Sequence, residues 1–275
     1  IRSFTEPYID DVAVISSNWE DHKLHLSQFF AVMRNAGLTL NLEKCRFAQP
    51  KVIFLGHIVG SGIVAPDPSK IATVREIQPP TNKKKVKRFM GFFSYFRSFI
   101  PNLAQIAHPI TELTKKGIPN MIRWEEKHQI SLQKLIDDLS NAASLNTIDY
   151  HKKFGLSTDA SATAVGCCLF QWSDDGTEAP IAFASLKLSP TQTRWSTIER
   201  EAYAVVWALN KFKSWILLSE VVILSDHNPL TYLTDTVSKS AKLTRWALAL
   251  QEYQLTFQYR SGRKNVVADF LSRKE

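Results

Sequence analysis

Hydrophobic and polar residues in the second half of the chain follow a pattern that switches between strand and helix. Three apolar stretches at 153–159, 164–171 and 179–185 have the length of β-strands, and Asp174-Asp175-Gly176 between the last two is a hairpin-turn sequence. The pattern continues with a helix at 197–218, a strand at 221–225, a helix at 240–252, a strand at 254–260 and a helix from 265. This order predicts an α/β fold with a mixed sheet.

The helix predicted at 197–218 has a clear start and a continuous apolar stripe. Ser196 and Glu199 have the spacing of a capping box, in which each side chain binds the backbone N–H of the other residue. The stripe has helical spacing and consists of Ala202, Val205, Val206, Leu209 and Phe212. We expect this face to pack into the core.

The first half of the chain is divided by turn residues into shorter elements. We predict two short strands joined by an acidic turn at 7–16, a helix at 19–36 that ends at Gly37, a hairpin at 51–64 around Gly60-Ser61-Gly62, and helices at 69–77, 82–99 and 125–140. The stretch 141–152 links these elements to the second half.

The segment 82–99, predicted as one helix or a helix pair, has two contrasting sets of residues. Its apolar positions are Val86, Phe89, Met90, Phe93 and Phe96, and their spacing favours a place in the core over a platform for stacking bases. Beside them lies a basic run of Lys83, Lys84, Lys85, Lys87 and Arg88. This run is either a solvated helix face or a surface that follows a phosphate backbone. If all five charges displaced counterions, log affinity would fall with log salt at a slope of about −4.5.

Composition and charge narrow the class of protein. Hydrophobic residues make up 44% and charged residues 22%, which are values of globular proteins. The formal net charge is +8, and residues 1–143 hold 19 Lys and Arg against 13 Asp and Glu, while residues 144–275 hold 15 against 13. A basic surface suits a polyanionic partner. The sequence has no apolar run long enough for a membrane span, so we expect no membrane partner.

The cysteines and the start of the chain give two further expectations. Cys45, Cys167 and Cys168 have no zinc-binding spacing, and a reducing compartment is the simplest inference. The sequence begins with Ile1, without an initiator Met or a signal peptide, just before a predicted strand. We therefore expect the chain to be a piece of a longer protein.

Four acidic residues of the second half lie where strands end or helices begin: Asp159, Glu201, Asp226 and Asp269. Acids in such positions can converge, although two carboxylates ~4 Å apart repel by roughly 4 kcal/mol at an effective dielectric of about 20. Two Mg²⁺ or Mn²⁺ ions would remove this conflict and promote hydrolysis of a phosphodiester. Taken singly, each acid has a simpler structural explanation, since Asp226 suits a turn or N-cap and Asp269 suits the dipole at a helix start.

These acids lie in four motifs: Ser157-Thr-Asp-Ala-Ser161, Ser196-Thr-Ile-Glu-Arg-Glu-Ala202, Leu224-Ser-Asp-His-Asn-Pro-Leu230 and Tyr259-Arg-Ser-Gly-Arg-Lys-Asn-Val-Val-Ala-Asp-Phe-Leu-Ser-Arg273. In order and spacing the motifs resemble the RNase H domain of gypsy-type LTR retrotransposon Pol polyproteins. The resemblance implies an RNase H-like mixed sheet flanked by helices, with Asp159, Glu201, Asp226 and Asp269 as ligands of two Mg²⁺ or Mn²⁺ ions. Glu201 is preferred over the nearby Glu199, which has a capping role. The loop 261–265 lacks the His that many RNases H place there.

Further motifs extend the resemblance over essentially the whole chain. Tyr8-Ile9-Asp10-Asp11 resembles the palm hairpin of reverse transcriptases, which makes Asp10 and Asp11 candidate metal ligands. Matches to gypsy-type Pol are Phe54-Leu55-Gly56-His57, Pro66-Asp67-Pro68-Ser69-Lys70-Ile71, Phe99-Ile100-Pro101-Asn102 and Ile106-Ala107-His108-Pro109-Ile110. Phe54, Leu55 and Gly56 resemble a primer grip, with a plain hairpin core as the alternative. The implied segments are a C-terminal part of the palm at 1–66, a thumb at 67–120, a connection helix and linker at 121–152, and RNase H at 153–275.

The resemblance implies a ribonuclease H that cleaves the RNA strand of RNA–DNA hybrids, as part of an RNA-directed DNA polymerase. Its implied partners are the hybrid, primer–template nucleic acid and the remainder of Pol, in an intracellular retroelement particle, cytoplasmic or nuclear. One alternative is a non-catalytic nucleic-acid-binding remnant of a decayed element, but the four acids in matching motifs favour the nuclease. A third interpretation is that the parent chain is an intact reverse transcriptase of which 1–275 is only a portion. Because fingers and a further palm aspartate are missing from 1–275, we expect no DNA synthesis by this chain alone.

Overall fold

A computed structural model describes residues 1, 3–75, 77–142, 144–225 and 241–260. The chain forms two compact units, 1–67 and 68–275. The finer division into palm, thumb, connection and RNase H segments stays a prediction. Within the described ranges, no helix is both long enough and apolar enough to cross a membrane.

The first unit contains short antiparallel strands and one long helix. Its elements are β1 (Thr5–Tyr8), β2 (Asp11–Val14), α1 (Trp19–Asn35), β3 (Val52–Phe54), β4 (His57–Gly60) and β5 (Ile63–Pro66). β1 pairs with β2, while β3, β4 and β5 pair as successive hairpins. The acidic hairpin, the helix and the hairpin around Gly60-Ser61-Gly62 are therefore confirmed. A second tight turn at Leu55-Gly56 was not predicted.

Helix α1 begins and ends where the sequence predicts, but it buries little of its apolar face. Asn18 caps the helix, because its Oδ1 accepts a hydrogen bond from the backbone N–H of Asp21 at 2.9 Å. Gly37 follows the helix with a φ of +67°, which suits glycine. Phe29 is buried, whereas Leu24 is 55% exposed. A unit of this size offers only a small core for the helix to pack against.

The second unit begins with a helical segment. Its helices are α2 (Pro68–Arg75), α3 (Lys83–Tyr95), α4 (Leu103–Ile106), α5 (His108–Glu112) and α6 (Glu126–Ser140). On α3 and just after it, Val86, Phe89, Phe93 and Phe96 are all buried, with 5% exposure or less. The aromatic stripe is therefore part of the core, as its spacing predicted, and not a stacking platform.

Within the described residues, the helical segment of the second unit is followed by a five-stranded mixed sheet with two helices. The elements of this part are β6 (Leu145–Asn146), β7 (Phe154–Ala160), β8 (Ala164–Trp172), β9 (Glu178–Lys187), α7 (Thr197–Ile216), β10 (Glu220–Ser225), α8 (Ala241–Leu250) and β11 (Gln254–Tyr259). The strand order is β11-β10-β7-β8-β9, with β8 antiparallel to its two neighbours and β10 parallel to its two neighbours. The predicted α/β class with a mixed sheet is confirmed.

Helix α7 packs against one face of this sheet. Phe154, Leu156 and Ile223 of the sheet share a fully buried cluster with Val205 and Leu209 of the helix. These residues belong to the apolar stripe and to strands that the sequence predicted. Their packing fixes α7 along the central strand β7, so it also determines where the start of α7 lies relative to the end of β7.

The opposite face of the sheet has a second, smaller cluster around Phe170. The Phe170 ring is fully buried with Cys168, Val222 and Leu224, and it lies over Gly155 of β7. A Cβ atom on Gly155 would be 2.2 Å from the Cζ atom of that ring. Glycine is favoured at this position because a side chain would force the ring to move.

Strand β9 is an edge of the sheet, and earlier residues cover its outer side. The backbone N–H of Ala104 donates to Ser185 Oγ at 2.9 Å, and Arg97 Nη2 donates to the Ser185 carbonyl at 3.4 Å. Towards the other end of the strand, Asn146 Nδ2 donates to the Pro180 carbonyl at 3.3 Å. The helical segment and the sheet are thereby joined by polar contacts along this edge.

Candidate active site

Asp159 is the second-to-last residue of β7 and lies at the carboxyl end of this central strand. It is half-buried and is paired with Gly166 of β8. The turn that follows is closed by Ser161, whose Oγ accepts from the Ala164 N–H and donates to the Ala164 carbonyl, both at 2.9 Å. The Asp-Ala-Ser sequence therefore places the carboxylate beside a well-anchored turn.

Glu201 lies in the second turn of α7 and is buried. The start of this helix is the predicted capping box, since Ser196 Oγ accepts from the Glu199 N–H at 3.3 Å and Glu199 Oε2 accepts from the Ser196 N–H at 3.0 Å. Only 6% of Glu201 is exposed. A buried carboxylate needs compensating partners or a cation, so it marks a polar site on an otherwise apolar helix face.

Arg200 connects the helix that carries Glu201 to the turn that follows Asp159. Its Nη1 donates to the Ser161 carbonyl at 3.1 Å. Its Nη2 donates to Thr197 Oγ1, on the preceding turn of the helix, at 3.3 Å. The start of α7 is therefore in direct contact with the turn that follows β7, so the segments that carry the two acids meet at the same end of the sheet.

Apolar packing joins the same two segments. Ala160, which follows Asp159, packs in one cluster with Ala204, which is fully buried and lies one turn beyond Glu201. Polar and apolar contacts thus agree in placing both candidate acids at one end of the sheet.

Asp226 and Asp269, the other two predicted ligands, lie outside the described residues. Ser225 is the last described residue before that gap, and Leu224 pairs with Ser157 in parallel register. Because parallel strands run in the same direction, the carboxyl ends of β10 and β7 lie on the same side of the sheet. Residue 225 therefore lies on the side of the sheet where Asp159 lies.

Glu199, the alternative to Glu201, is engaged in contacts of its own. Its Oε1 lies 2.8 Å from Lys242 Nζ of α8, and the hydrogen bond from Lys242 lowers the pKa of Glu199. The same ammonium group lies 3.7 Å from the centroid of the Trp195 ring. Glu199 therefore caps α7 and binds α8, which agrees with the choice of Glu201 as the site residue.

The described acids have the chemistry that Mg²⁺ or Mn²⁺ requires, because both offer carboxylate oxygens. Among the described residues, which leave out 226–240 and 261–275, no group of three or more His, Cys, Asp or Glu residues is placed to hold a metal ion. Two of the four predicted ligands fall in those gaps. The fit to a metal therefore rests on Asp159 and Glu201 alone.

Asp10 and Asp11 lie in an exposed hairpin of the first unit. Tyr8 pairs with Asp11, and Ile9 in the turn has a φ of +53°. Both aspartates are exposed, so their carboxylates are accessible to ions in solution.

Phe54 ends β3, and Leu55 and Gly56 form the tight turn to β4. Leu55 and Gly56 have φ values of +49° and +71°, as in the two-residue turns that match the twist of a hairpin. His57 Nδ1 lies 3.0 Å from the Leu55 carbonyl oxygen, and burial lowers the pKa of His57. A neutral imidazole whose Nδ1–H donates to that carbonyl fits this contact. Phe54 and Leu55 are half-buried, so the turn is not packed fully into a core.

The basic run on α3 is mostly exposed. Lys84, Lys85, Lys87 and Arg88 are exposed. Lys83 is half-buried, and its Nζ donates to the carbonyl oxygen of residue 115 at 2.7 Å. Four of the five residues of the basic run therefore form an accessible basic surface.

Comparison with known proteins places the chain in a family. Residues 149–253 match the RNase H-like domain found in reverse transcriptase, and residues 2–59 match the reverse transcriptase (RNA-dependent DNA polymerase) family. The chain is 36% identical over 276 residues to the retrovirus-related Pol polyprotein from transposon opus and 35% identical over 280 residues to that from transposon gypsy, both of Drosophila melanogaster. The chain belongs to the Pol polyproteins of LTR transposons. It spans about a quarter of the length of these relatives, 27% for opus and 26% for gypsy, while 97% of the chain is matched.

Solved structures show that this Pol chain has the fold of part of a viral protease-reverse transcriptase. It superposes on the foamy viral protease-reverse transcriptase dRH in complex with double-stranded DNA with a TM-score of 0.82 and 22% identity, over 93% of this chain and 46% of that one. It superposes on the foamy viral protease-reverse transcriptase in complex with an RNA/DNA hybrid with a TM-score of 0.81 and 21% identity, over 98% of this chain and 37% of that one. The predicted family and the RNase H-like fold are confirmed.

Sequence reasoning about the Pol motifs missed two residues of the site region. Arg200 lies inside the motif at 196–202 but was not singled out, although its place beside Glu201 was the one available signal. Lys242, which binds Glu199, lies in a predicted helix without any motif of its own. Both contacts join residues that are distant in sequence, so local patterns did not reveal them.

Proposed function

We propose that this chain cleaves the RNA strand of RNA–DNA hybrids by metal-dependent hydrolysis, as the RNase H part of a retrotransposon reverse transcriptase. The main support for this proposal is a contact between two elements that each carry an acid. β7 carries Asp159 and α7 carries the buried Glu201, and Arg200 of α7 donates a hydrogen bond to the Ser161 carbonyl, just after β7. These elements lie within the residues that match an RNase H-like domain. Carboxylates gathered at one sheet edge suit phosphodiester hydrolysis.

The proposed ligands of two Mg²⁺ or Mn²⁺ ions are Asp159, Glu201, Asp226 and Asp269. Ions bound there would activate a water and stabilise the leaving oxygen. The task of the protein is to hold the carboxylates in place. Pairing with Gly166 and the closed turn at Ser161 restrict Asp159, and the packing of α7 on the sheet restricts Glu201. Groups held in this way need little reorganisation during the reaction.

The proposed substrate is an RNA–DNA hybrid, and the basic surface of α3 is a proposed contact to its phosphates or to primer–template nucleic acid. The foamy viral relative was solved with such a hybrid, and the net charge of +8 suits a polyanion. Contacts from Lys84, Lys85, Lys87 and Arg88 would give a slope of log affinity against log salt of about −3.6. Lys87→Gln should then reduce the size of that slope by about 0.9.

We infer that the first unit belongs to the polymerase part of the parent protein. The exposed carboxylates of Asp10 and Asp11 are suited to bind metal ions, and Phe54, Leu55 and Gly56 form a turn suited to position a strand end. These roles require the remainder of Pol as a partner. The proposed location is a retroelement particle in the cytoplasm or the nucleus.

A cleavage assay with a matched pair of variants tests the nuclease. Purified 1–275 is incubated with a labelled RNA–DNA hybrid in Mg²⁺, in Mn²⁺ or in EDTA. Asp159→Asn should reduce the rate by roughly 10²–10³ or more, because losing a metal ligand removes several kcal/mol of transition-state stabilisation and each 1.36 kcal/mol is about tenfold. Asp174→Asn makes the same change at a turn residue whose side chain is 96% exposed, and it should leave the rate unchanged.

The outcomes separate the two candidate functions. Metal-dependent cutting of the RNA strand that is lost in Asp159→Asn supports the nuclease. Equal cleavage by wild type and Asp159→Asn rejects the site assignment. An absence of cutting with hybrid binding intact favours the non-catalytic alternative.

A further inference from the structure

We propose that Arg200 is a positioning residue that sets the separation of the Asp159 and Glu201 carboxylates, an inference that rests on the proposed nuclease function. Its guanidinium group makes two hydrogen bonds, to the Ser161 carbonyl at 3.1 Å and to Thr197 Oγ1 at 3.3 Å. One acceptor follows the strand that carries Asp159. The other belongs to the helix that carries Glu201. The side chain is therefore a bridge between the two elements whose relative position determines the site.

The Ser161 end of this bridge is rigid enough to transmit position to Asp159. Ser161 makes three hydrogen bonds with Ala164, two through its hydroxyl group and one from its backbone N–H at 2.8 Å. Asp159 is only two residues away and is held in the β7–β8 ladder opposite Gly166. A shift of the Ser161 carbonyl would therefore move the end of β7 and the carboxylate with it.

The helical end of the bridge is equally well defined. Thr197 is the first residue of α7, directly after the Ser196 cap. Arg200 precedes Glu201 in the chain, so the backbone that anchors the guanidinium group also carries the carboxylate. Glu199 does not share this task, because it caps the helix and binds Lys242.

The chemistry of arginine suits this bridge better than that of lysine. The planar guanidinium group presents several N–H donors in a fixed fork, so it can hold two acceptors at a set distance. A lysine ammonium group is a single flexible point of attachment. Arg200→Lys therefore keeps the charge but loses the fixed geometry, and Arg200→Met loses both.

Residues that orient metal ligands typically change metal affinity or activity by about 10–100-fold when they are replaced. We expect Arg200→Met to lower kcat for hybrid cleavage by about 10–100-fold, and to weaken Mn²⁺ binding by a similar factor, with little change in KM for the hybrid. Arg200→Lys should lie between Arg200→Met and wild type. Thr197→Val, which removes the second acceptor and retains the arginine, should have a smaller effect in the same direction.

The control is Lys211→Met, which removes an exposed charge on the same helix, about three turns further along. Hybrid cleavage is measured as kcat and KM, Mn²⁺ binding by calorimetry, and folding by thermal unfolding without metal. A specific loss of kcat and Mn²⁺ affinity in the Arg200 variants, with Lys211→Met unchanged, supports the proposal. Should Arg200→Met fold poorly, Arg200→Lys and Thr197→Val provide the same comparison.

Two results would overturn the positioning role of Arg200. A raised KM with unchanged kcat and Mn²⁺ affinity would make Arg200 a substrate contact. Unchanged values in every variant, with an active wild type, would leave it without a role in the site. A wild-type protein that neither cleaves the hybrid nor binds Mn²⁺ would instead reject the proposed nuclease function, together with the positioning role that rests on it.

Discussion

The contact between Gly155 and Phe170 makes a quantitative prediction about the sheet that supports the site. In Gly155→Ala the new Cβ atom would meet Phe170 Cζ at 2.2 Å, whereas an ordinary contact of this kind is 3.4–4 Å. The ring must therefore move by about 1 Å, but it is fully buried and has an edge contact with Trp172, at a centroid distance of 5.0 Å. Overpacking of this kind costs about 1–3 kcal/mol. For a unit of this size we expect the melting temperature to fall by about 2–12 °C.

Thermal unfolding of the second unit can be followed by tryptophan fluorescence. Six of the seven tryptophans lie in that unit, and only Trp19 lies in residues 1–67. Gly91→Ala is the matched control. Gly91 lies on α3 with open space around the position of a Cβ atom, so alanine should stabilise that helix by about 0.5–1 kcal/mol.

A double mutant tests whether the clash is the cause of the loss. Phe170→Leu alone should destabilise the unit by leaving unfilled space, but it also removes the ring atoms that meet the new Cβ. The double variant Gly155→Ala/Phe170→Leu should therefore be more stable than the sum of the single effects predicts, by about 0.5–3 kcal/mol. An unchanged melting temperature in Gly155→Ala, or strictly additive effects in the double variant, would refute the reasoning.

Three further predictions concern stability and reactivity. Ser196→Ala removes the cap of α7 and should cost about 1 kcal/mol, seen as a fall of about 2–4 °C in melting temperature; an unchanged value would contradict the capping box. Hydrogen bonds from Lys115 and Lys187 lower the pKa of Glu112 from 4.5 to about 2, so its charged form stabilises the folded state above pH 4.5 and that contribution is lost as the pH falls through about 2. Glu112→Gln should therefore be less stable than wild type at pH 6, with the difference disappearing near pH 2 in thermal melts; a constant difference would be the opposing result. Burial raises the pKa of the two adjacent thiols of β8 well above that of a free cysteine, so a thiol reagent should modify only the half-buried Cys45 quickly, and rapid modification of all three in the folded protein would contradict this.

Much of the sheet and of α7 was predictable because local signals there agree with the tertiary structure. The strand predicted at 153–159 is observed as Phe154–Ala160, and the capping box begins α7 at the residue that its spacing indicates. Apolar residues with a period of two or 3.6 report directly on which face is buried. Elements with such regular patterns need no knowledge of the rest of the chain.

Features that depend on contacts between distant residues could not be predicted in the same way. The turn at Leu55-Gly56 has a positive φ at Leu55, a residue that rarely adopts one, so Gly56 alone was too weak a signal to predict it. The burial of Glu201 follows from how α7 rests on the sheet, and only its place at the border of the apolar stripe hinted at it. The bond from Arg200 to Ser161 joins residues 39 positions apart, and no periodicity encodes such a pairing.

The covered outer side of β9 has a practical consequence for where the chain can be cut. A fragment that starts at residue 149, where the match to the RNase H-like family begins, would lack Arg97, Ala104 and Asn146. Its edge strand would then present unpaired backbone groups, which are templates for association with other chains. A soluble, portable version of this RNase H-like unit should therefore begin upstream of Arg97, so that the helices before the sheet cover the edge strand and protect it from aggregation.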